Sequence, residues 1–171
     1  MIELFTHILI VLVPLIITSI FHMVVVKKKW LTVLEIPIWL KGFGENKTWR
    51  AVFFVPLVNG LFLWLISFVF GLQLAYPFLL GYTLGLSYLL FELPNSFLKR
   101  KVGIKPGSHH HKHKYFFYLL DKTDSALGVT LTYFMITGMT LKMVMALFLI
   151  NSFAHIVIAF FLLKLKLKSS F

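Results

Sequence analysis

Asp121 and Asp124 lie in Leu119-Leu120-Asp121-Lys122-Thr123-Asp124-Ser125. Their spacing puts both carboxylates on one face of a helix, where they repel each other unless a cation intervenes. They stand at the start of an apolar segment, where unpaired carboxylates are costly. Mg²⁺ takes oxygen ligands and is commonly held by one or two carboxylates plus substrate phosphates, so the pair is a candidate metal site. The alternative is a helix N-terminus carrying acids that complement its macrodipole.

Two further stretches carry anion-gripping chemistry. In Phe43-Gly44-Glu45-Asn46-Lys47-Thr48-Trp49-Arg50, four donors (Asn46, Lys47, Thr48 and Arg50) follow one another closely behind Gly42 and Gly44. Such a set suits an oligophosphate and the edge of a base. In Glu92-Leu93-Pro94-Asn95-Ser96-Phe97-Leu98-Lys99-Arg100-Lys101, the residues Asn95, Ser96, Lys99 and Arg100 share a helical face that suits a phosphate. The plainer reading of both stretches is a basic membrane flank, with Trp49 as an interfacial anchor.

The elements that must position these groups are helices in a bilayer. The chain of 171 residues is 59% hydrophobic and 13% charged, with a mean hydropathy of +0.88. Soluble domains are typically about 45–50% apolar and about 25% charged, so a disordered chain is excluded and a soluble globule disfavoured. The absence of cysteine excludes a disulfide scaffold and thiolate metal sites. Five continuous apolar stretches, at about 6–26, 51–70, 73–91, 117–137 and 141–163, are each near the roughly 20 residues a spanning helix needs. Continuous rather than alternating apolar character indicates helices and not a barrel. The first stretch lacks a basic leader and a cleavage site, and Lys27-Lys28-Lys29 behind it reads as a stop-transfer flank. The expectation is a single all-α integral membrane domain over 1–171, a bundle of five transmembrane helices.

Sidedness follows from charge. Lys and Arg number 17 against 6 acidic residues, a net charge of +11. The two long loops, about 27–50 and 92–116, and the C-terminal tail fall on one side of a five-span chain, and every Lys and Arg except Lys142 falls with them. The positive-inside rule then puts the N-terminus outside and the C-terminus in the cytoplasm. Glu35, Glu45, Glu92, Asp121 and Asp124 share the cytoplasmic side, which reads as a site at one face of the bundle. The alternating tail Lys164-Leu165-Lys166-Leu167-Lys168 reads as a snorkelling anchor to anionic membrane lipids.

Taken together, FGENKTWR at 43–50, SFLKRKVGIKPG at 96–107 and LLDKTDSALG at 119–128 resemble the CDP-archaeol synthase family. That family is a small five-span branch of the membrane cytidylyltransferases, distantly similar to phosphatidate cytidylyltransferase. The resemblance implies Mg²⁺-dependent reaction of CTP with a lipid phosphate to give a CDP-lipid and pyrophosphate at the cytoplasmic face of the cell membrane. It implies that Asn46, Lys47, Thr48 and Arg50 bind nucleotide, that Asn95, Ser96, Lys99 and Arg100 bind the lipid phosphate, and that Asp121 and Asp124 hold the metal. Lys99, Arg100, Asp121 and Asp124 are the implied catalytic set. The chain departs from the family pattern at Ala51, where a glycine is usual, at Lys122, and at Glu92-Leu93-Pro94-Asn95, where archaeal members carry an aspartate. The lipid is therefore open: phosphatidic acid, an archaeol phosphate or an isoprenoid phosphate.

The competing class is a non-enzymatic small membrane protein, a transporter or an inactive relative with a scaffolding role. A transporter should show polar or broken helices at mid-membrane depth, whereas the ionisable groups here gather at one face. No nucleic-acid reader module can be traced on the chain, and nucleic acid is not an expected partner; a homodimer is the expected assembly. The run Ser108-His109-His110-His111-Lys112-His113-Lys114 has no nearby cysteine or acid to complete a zinc site and reads as a basic loop. Asn151 and His155, four apart, are expected to face the bundle interior, and Gly81 and Gly85 to allow close helix packing.

Overall fold

The computed structural model describes residues 2–104 and 114–165. The histidine run at 109–113, Lys105 and Lys112 in the second long loop, and Lys166 and Lys168 in the tail lie outside the described residues. The regular elements of the described chain are helices, chiefly α1 (Ile2–Lys27), α2 (Leu40–Phe43), α3 (Trp49–Phe70), α4 (Pro77–Lys101), α5 (Lys114–Thr137) and α6 (Leu141–Lys164). No strand occurs among the described residues.

Three helices are long and apolar enough to cross a membrane: Glu3–Lys27, Trp49–Phe70 and Leu141–Lys164. Their outward faces stay apolar, with Phe53, Phe68, Phe153 and Phe160 more than half exposed, as a lipid-facing surface requires. α4 and α5 match them in length but carry Glu92, Lys99, Arg100, Asp121, Lys122 and Asp124 in place of an unbroken apolar run.

Two boundaries differ from the sequence reading. The third apolar stretch does not begin its helix at 73: residues 72–76 are irregular and α4 starts at Pro77, whose ring fixes a helical φ where no N–H is needed. Nor does the helix end at 91. It runs on through Pro94 to Lys101, so the first ten residues assigned to the second loop are helical. Hydropathy falls there, but a helix ends where its hydrogen bonds end, not where its side chains turn polar. The short turns after α3 and α5 are made by Gly71 and Gly138, both at positive φ, the left-handed conformation that closes a helix C-terminus.

The five long helices close a ring, since each packs on the next in the order α1, α3, α4, α5, α6 and back to α1. The α3–α4 contact is the tightest. A Cβ on Gly81 would lie 2.7 Å from the Asn59 carbonyl oxygen, and one on Gly85 would lie 2.9 Å from Pro56 Cα. Asn59 donates its side-chain amide to the Gly81 carbonyl at 2.6 Å and accepts from the Thr18 hydroxyl at 3.4 Å. Between α4 and α5, the Ser87 hydroxyl donates to the Gly128 carbonyl at 2.9 Å and lies 2.7 Å from Thr132 Oγ1. Without a strong hydrophobic drive between helices in lipid, small residues and buried hydrogen bonds of this kind hold helices together.

The apolar core gathers Ile10, Val11 and Leu15 of α1, Leu63 of α3, Leu84 of α4, Val129 and Tyr133 of α5, and Leu147 of α6. These positions fall toward the end of the bundle where α1 begins and α3 and α5 finish. The opposite end is built differently.

Candidate functional site

At that opposite end the helices enclose an open cavity of about 990 Å³. Its wall takes residues from α1, from the segment between α1 and α3, and from α3, α4, α5 and α6. All three stretches singled out from sequence reach it.

The segment after α1 reverses direction sharply, with Lys29 and Leu31 in the left-handed region. It then folds back so that Ile38 N–H donates to the Lys47 carbonyl at 2.8 Å and Trp49 N–H to the Ile36 carbonyl at 3.0 Å. The Trp39 indole packs over Gly42, where a Cβ would lie 2.1 Å from the ring, and stacks on Phe97 of α4 at 5.8 Å. This aromatic clamp fixes residues 40–48 against α4. The result brings Lys47 to an ion pair with Glu92, two residues remote in sequence and both largely buried. Arg50, in the first turn of α3, is 3% exposed. Its guanidinium donates to the Trp30 carbonyl and to Glu35 Oε1, both at 3.3 Å, while Nε is buried without a partner. Thr48, buried and extended just before α3, makes no capping bond with its side chain; it and the exposed Asn46 line the cavity.

On α4, Asn95, Ser96, Lys99 and Arg100 line the same cavity, as their shared helical face requires. Asn95 is 4% exposed. Its amide donates to Asp121 Oδ1 at 2.7 Å and to Asp124 Oδ2 at 2.8 Å, so one side chain ties both carboxylates together. Its own Oδ1 is buried without a partner. Lys99 pairs with Asp121. Arg100 donates to the Ile104 carbonyl. The acids do not decorate a helix start: α5 begins at Lys114 and has no acid in its first turn, so the macrodipole does not account for Asp121 and Asp124.

The donor set near Asn95 is oxygen-rich: two carboxylates on one face of α5 and an amide oxygen with no partner. Asp121 and Asp124 are the residues that could hold a divalent cation. Among the described residues no three His, Cys, Asp or Glu side chains converge as a closed metal site, so water or substrate oxygens would have to complete the shell. That is the habit of Mg²⁺ rather than of a structural metal.

Sequence reasoning did not assign Glu92 a partner, and it missed Ser19 and Tyr88 on the cavity wall, where His22 also stands. Tyr88 lies one turn before Glu92 on α4, and its hydroxyl is 2.8 Å from His155 Nε2 of α6. The signal for Glu92 was present, since acids are few and each placement matters. Nothing in the sequence shows which residues of α1 face inward, because that helix is apolar all round.

No family model matches the chain, and neither does any curated protein or solved structure.

Proposed function

We propose that this chain is a membrane cytidylyltransferase that moves CMP from CTP to a lipid phosphate, as its resemblance to the CDP-archaeol synthases implies. In this reading it has five spans, an outside N-terminus and a site at the cytoplasmic face of the cell membrane. The observation that carries the reading is the meeting, in one cavity, of three stretches far apart in sequence: Asn46, Lys47 and Arg50; Asn95, Ser96 and Lys99; Asp121 and Asp124. A mere basic flank has no reason to bury Arg50 and Asn95 or to aim separate flanks at one space.

The chemistry asks little covalent work of the protein. The second pKa of a phosphate monoester is about 6, so the attacking oxygen is already ionised at neutral pH and needs no general base. It forms a bond to the α-phosphorus of CTP as the bond from that phosphorus to the bridging oxygen of pyrophosphate breaks. The electron pair leaves with pyrophosphate. The obstacle is bringing two polyanions together, and catalysis is then positioning plus charge stabilisation. Lys47 and Arg50 hold the nucleotide phosphates, and Lys99 and Ser96 hold the lipid phosphate. Asn95 fixes the spacing of Asp121 and Asp124. Mg²⁺ bound to those carboxylates would supply further neutralisation of the triphosphate. In this reading CTP reaches the cavity from water and the lipid phosphate reaches it from headgroup depth.

The test is purified protein with labelled CTP, Mg²⁺ and a panel of phosphatidic acid, archaeol phosphate and an isoprenoid phosphate. The expected result is Mg²⁺-dependent release of pyrophosphate with a labelled lipid product from at least one of them. A folded sample that consumes no CTP with any member of the panel overturns the reading.

A further inference from the structure

The stretch between α1 and α3 suits neither water nor the bundle interior. Of the eleven residues from Trp30 to Leu40, eight are hydrophobic, one is Pro37, and only Thr32 and Glu35 are polar. Yet Trp30, Leu31, Val33, Ile36, Trp39 and Leu40 are each at least half exposed. Apolar residues exposed singly need no explanation, but a run this dense marks a surface that something else covers. The stretch is too short to cross a bilayer, which takes about 20 residues. It is also broken by left-handed residues at Lys29 and Leu31 and by a single 3-10 turn at Thr32–Leu34.

Its tethers fix its depth. Trp30 N–H donates to the Val25 carbonyl near the end of α1 at 3.0 Å. The N–H of Trp49, the first residue of α3, donates to the Ile36 carbonyl at 3.0 Å. α1 and α3 are both long and apolar enough to cross a membrane. Crossing by both puts Trp30 and Ile36 at the level of two helix ends, at one membrane surface. Tryptophan favours that level, and three of the chain's four tryptophans, Trp30, Trp39 and Trp49, are on this stretch or at its end. Lys27, Lys28, Lys29 and Lys41 flank the apolar run. All four are exposed, and none is ion-paired among the described residues. An anionic headgroup layer complements that charge. A second copy meeting the first through this same face would set lysines against lysines.

We propose that residues 30–40 dock on the anionic headgroup layer of the membrane, and that this docking braces the mouth of the cavity. Leu31, Val33, Ile36 and Leu40 enter the interface, and Lys27, Lys28, Lys29 and Lys41 meet the phosphates of the surrounding lipids. The same stretch holds the cavity wall from behind. The Trp30 carbonyl and Glu35 Oε1 both accept from the Arg50 guanidinium at 3.3 Å. Trp39 covers Gly42 and stacks on Phe97, which fixes the residues leading to Lys47. Two backbone bonds, Ile38 N–H to the Lys47 carbonyl and Trp49 N–H to the Ile36 carbonyl, join the docked face to that wall. The surface charge of the membrane thus governs how firmly Lys47 and Arg50 are held. The inference goes beyond the cytidylyltransferase reading and needs no nucleotide.

The chain has no cysteine, so Val33→Cys carries a nitroxide spin label at one known point. The full chain is placed one copy to a nanodisc, in phosphatidylcholine alone or mixed with phosphatidylglycerol. In the mixed discs the label is expected to collide with oxygen, which concentrates in lipid, and to be shielded from a water-soluble nickel chelate. In phosphatidylcholine alone the chelate should reach it more readily. The same should follow in mixed discs at 1 M salt, where screening acts within about 3 Å. Lys28→Gln with Lys41→Gln, which leaves Lys27 and Lys29 to guide insertion, should lower the ratio of shielded to open label about fivefold per lysine. Amide exchange at Ile38 and Trp49, followed without the label, should be slower in the mixed discs than in phosphatidylcholine. A label open to the chelate in the mixed discs, or shielding indifferent to lipid charge, salt and the two lysines, overturns the proposal. Shielding found only in discs that hold two copies assigns the face to a second copy and does the same. Exchange at Ile38 and Trp49 that ignores lipid charge removes the brace, and the proposal with it.

Discussion

The same five helices build two unlike halves. Where α1 begins, the space between them is filled by Val11, Leu63, Leu84, Val129 and Leu147, each essentially sealed from solvent, and the polar contacts beside them, such as His7 Nδ1 to the Tyr133 hydroxyl at 2.8 Å, are between uncharged groups. At the other end the helices stand around about 990 Å³ of open space, whose wall sets charged side chains, several held in pairs, among apolar ones. The closed half is held by packing and close backbone approach. The open half is held by Lys47–Glu92, Arg50–Glu35 and Lys99–Asp121. A bundle of this size can leave one end unfilled because the other end supplies the rigidity.

Substitutions in the two halves should therefore fail in different ways. The largest effect belongs to the open half: Asp121→Asn or Asp124→Asn should lower CDP-lipid formation by about a hundredfold or more, as loss of a group that organises transition-state charge does. Membrane insertion should hardly change in either variant, and the heat-unfolding midpoint should fall more for Asp121→Asn, which gives up the ion pair with Lys99, than for Asp124→Asn. Near-normal turnover by either variant would remove the carboxylates from the chemistry. Next comes Gly81→Val in the tight α3–α4 contact, where even a Cβ meets backbone. Overpacking of that kind costs about 2 kcal/mol, to be seen as a lower unfolding midpoint, with the CTP dependence of the folded fraction unchanged. A shifted CTP dependence would mean that the two halves are mechanically coupled.

Lys47→Ala should raise the CTP concentration for half-maximal rate about tenfold, the worth of one charge-assisted contact, and leave the lipid dependence alone. An unchanged CTP requirement takes Lys47 out of the nucleotide site. The smallest effect should be Tyr133→Phe, which removes the bond to His7. Such bonds between membrane helices average about 0.6 kcal/mol, so a small fall in unfolding midpoint with full activity is expected. Loss of activity there would contradict the division drawn above.

Much of this frame was legible in the sequence because a bilayer leaves few options. Continuous apolar runs placed α1, α3, α5 and α6 to within a few residues, and Gly71 and Gly138 marked the tight turns. α4 was misjudged at both ends because hydropathy reports on what surrounds a helix, while Pro77 and the hydrogen bonds through Lys101 decide where it starts and stops. In the candidate site, the shared faces of Asp121 with Asp124 and of Asn95 with Lys99 follow from helical spacing alone. The pairing of Lys47 with Glu92 does not, since it depends on how the Trp39 clamp folds one loop onto a distant helix. Asn151 and His155 were expected to turn inward together, and both line the open space; that Tyr88 is the partner of His155 needs three dimensions to see.

The ion pairs on the cavity wall have a consequence for traffic. Lys47 and Lys99 each already hold a carboxylate, so an arriving anion must exchange places with a tethered competitor whose local concentration is very high. Chloride or a lone sulfate is poorly equipped for that contest. A chelated triphosphate is better equipped, because it brings several negative oxygens to the lysines and a positive centre for the evicted carboxylate in a single arrival. Self-neutralisation would thus act as a filter, keeping common cellular ions from lodging in a basic chamber without a door.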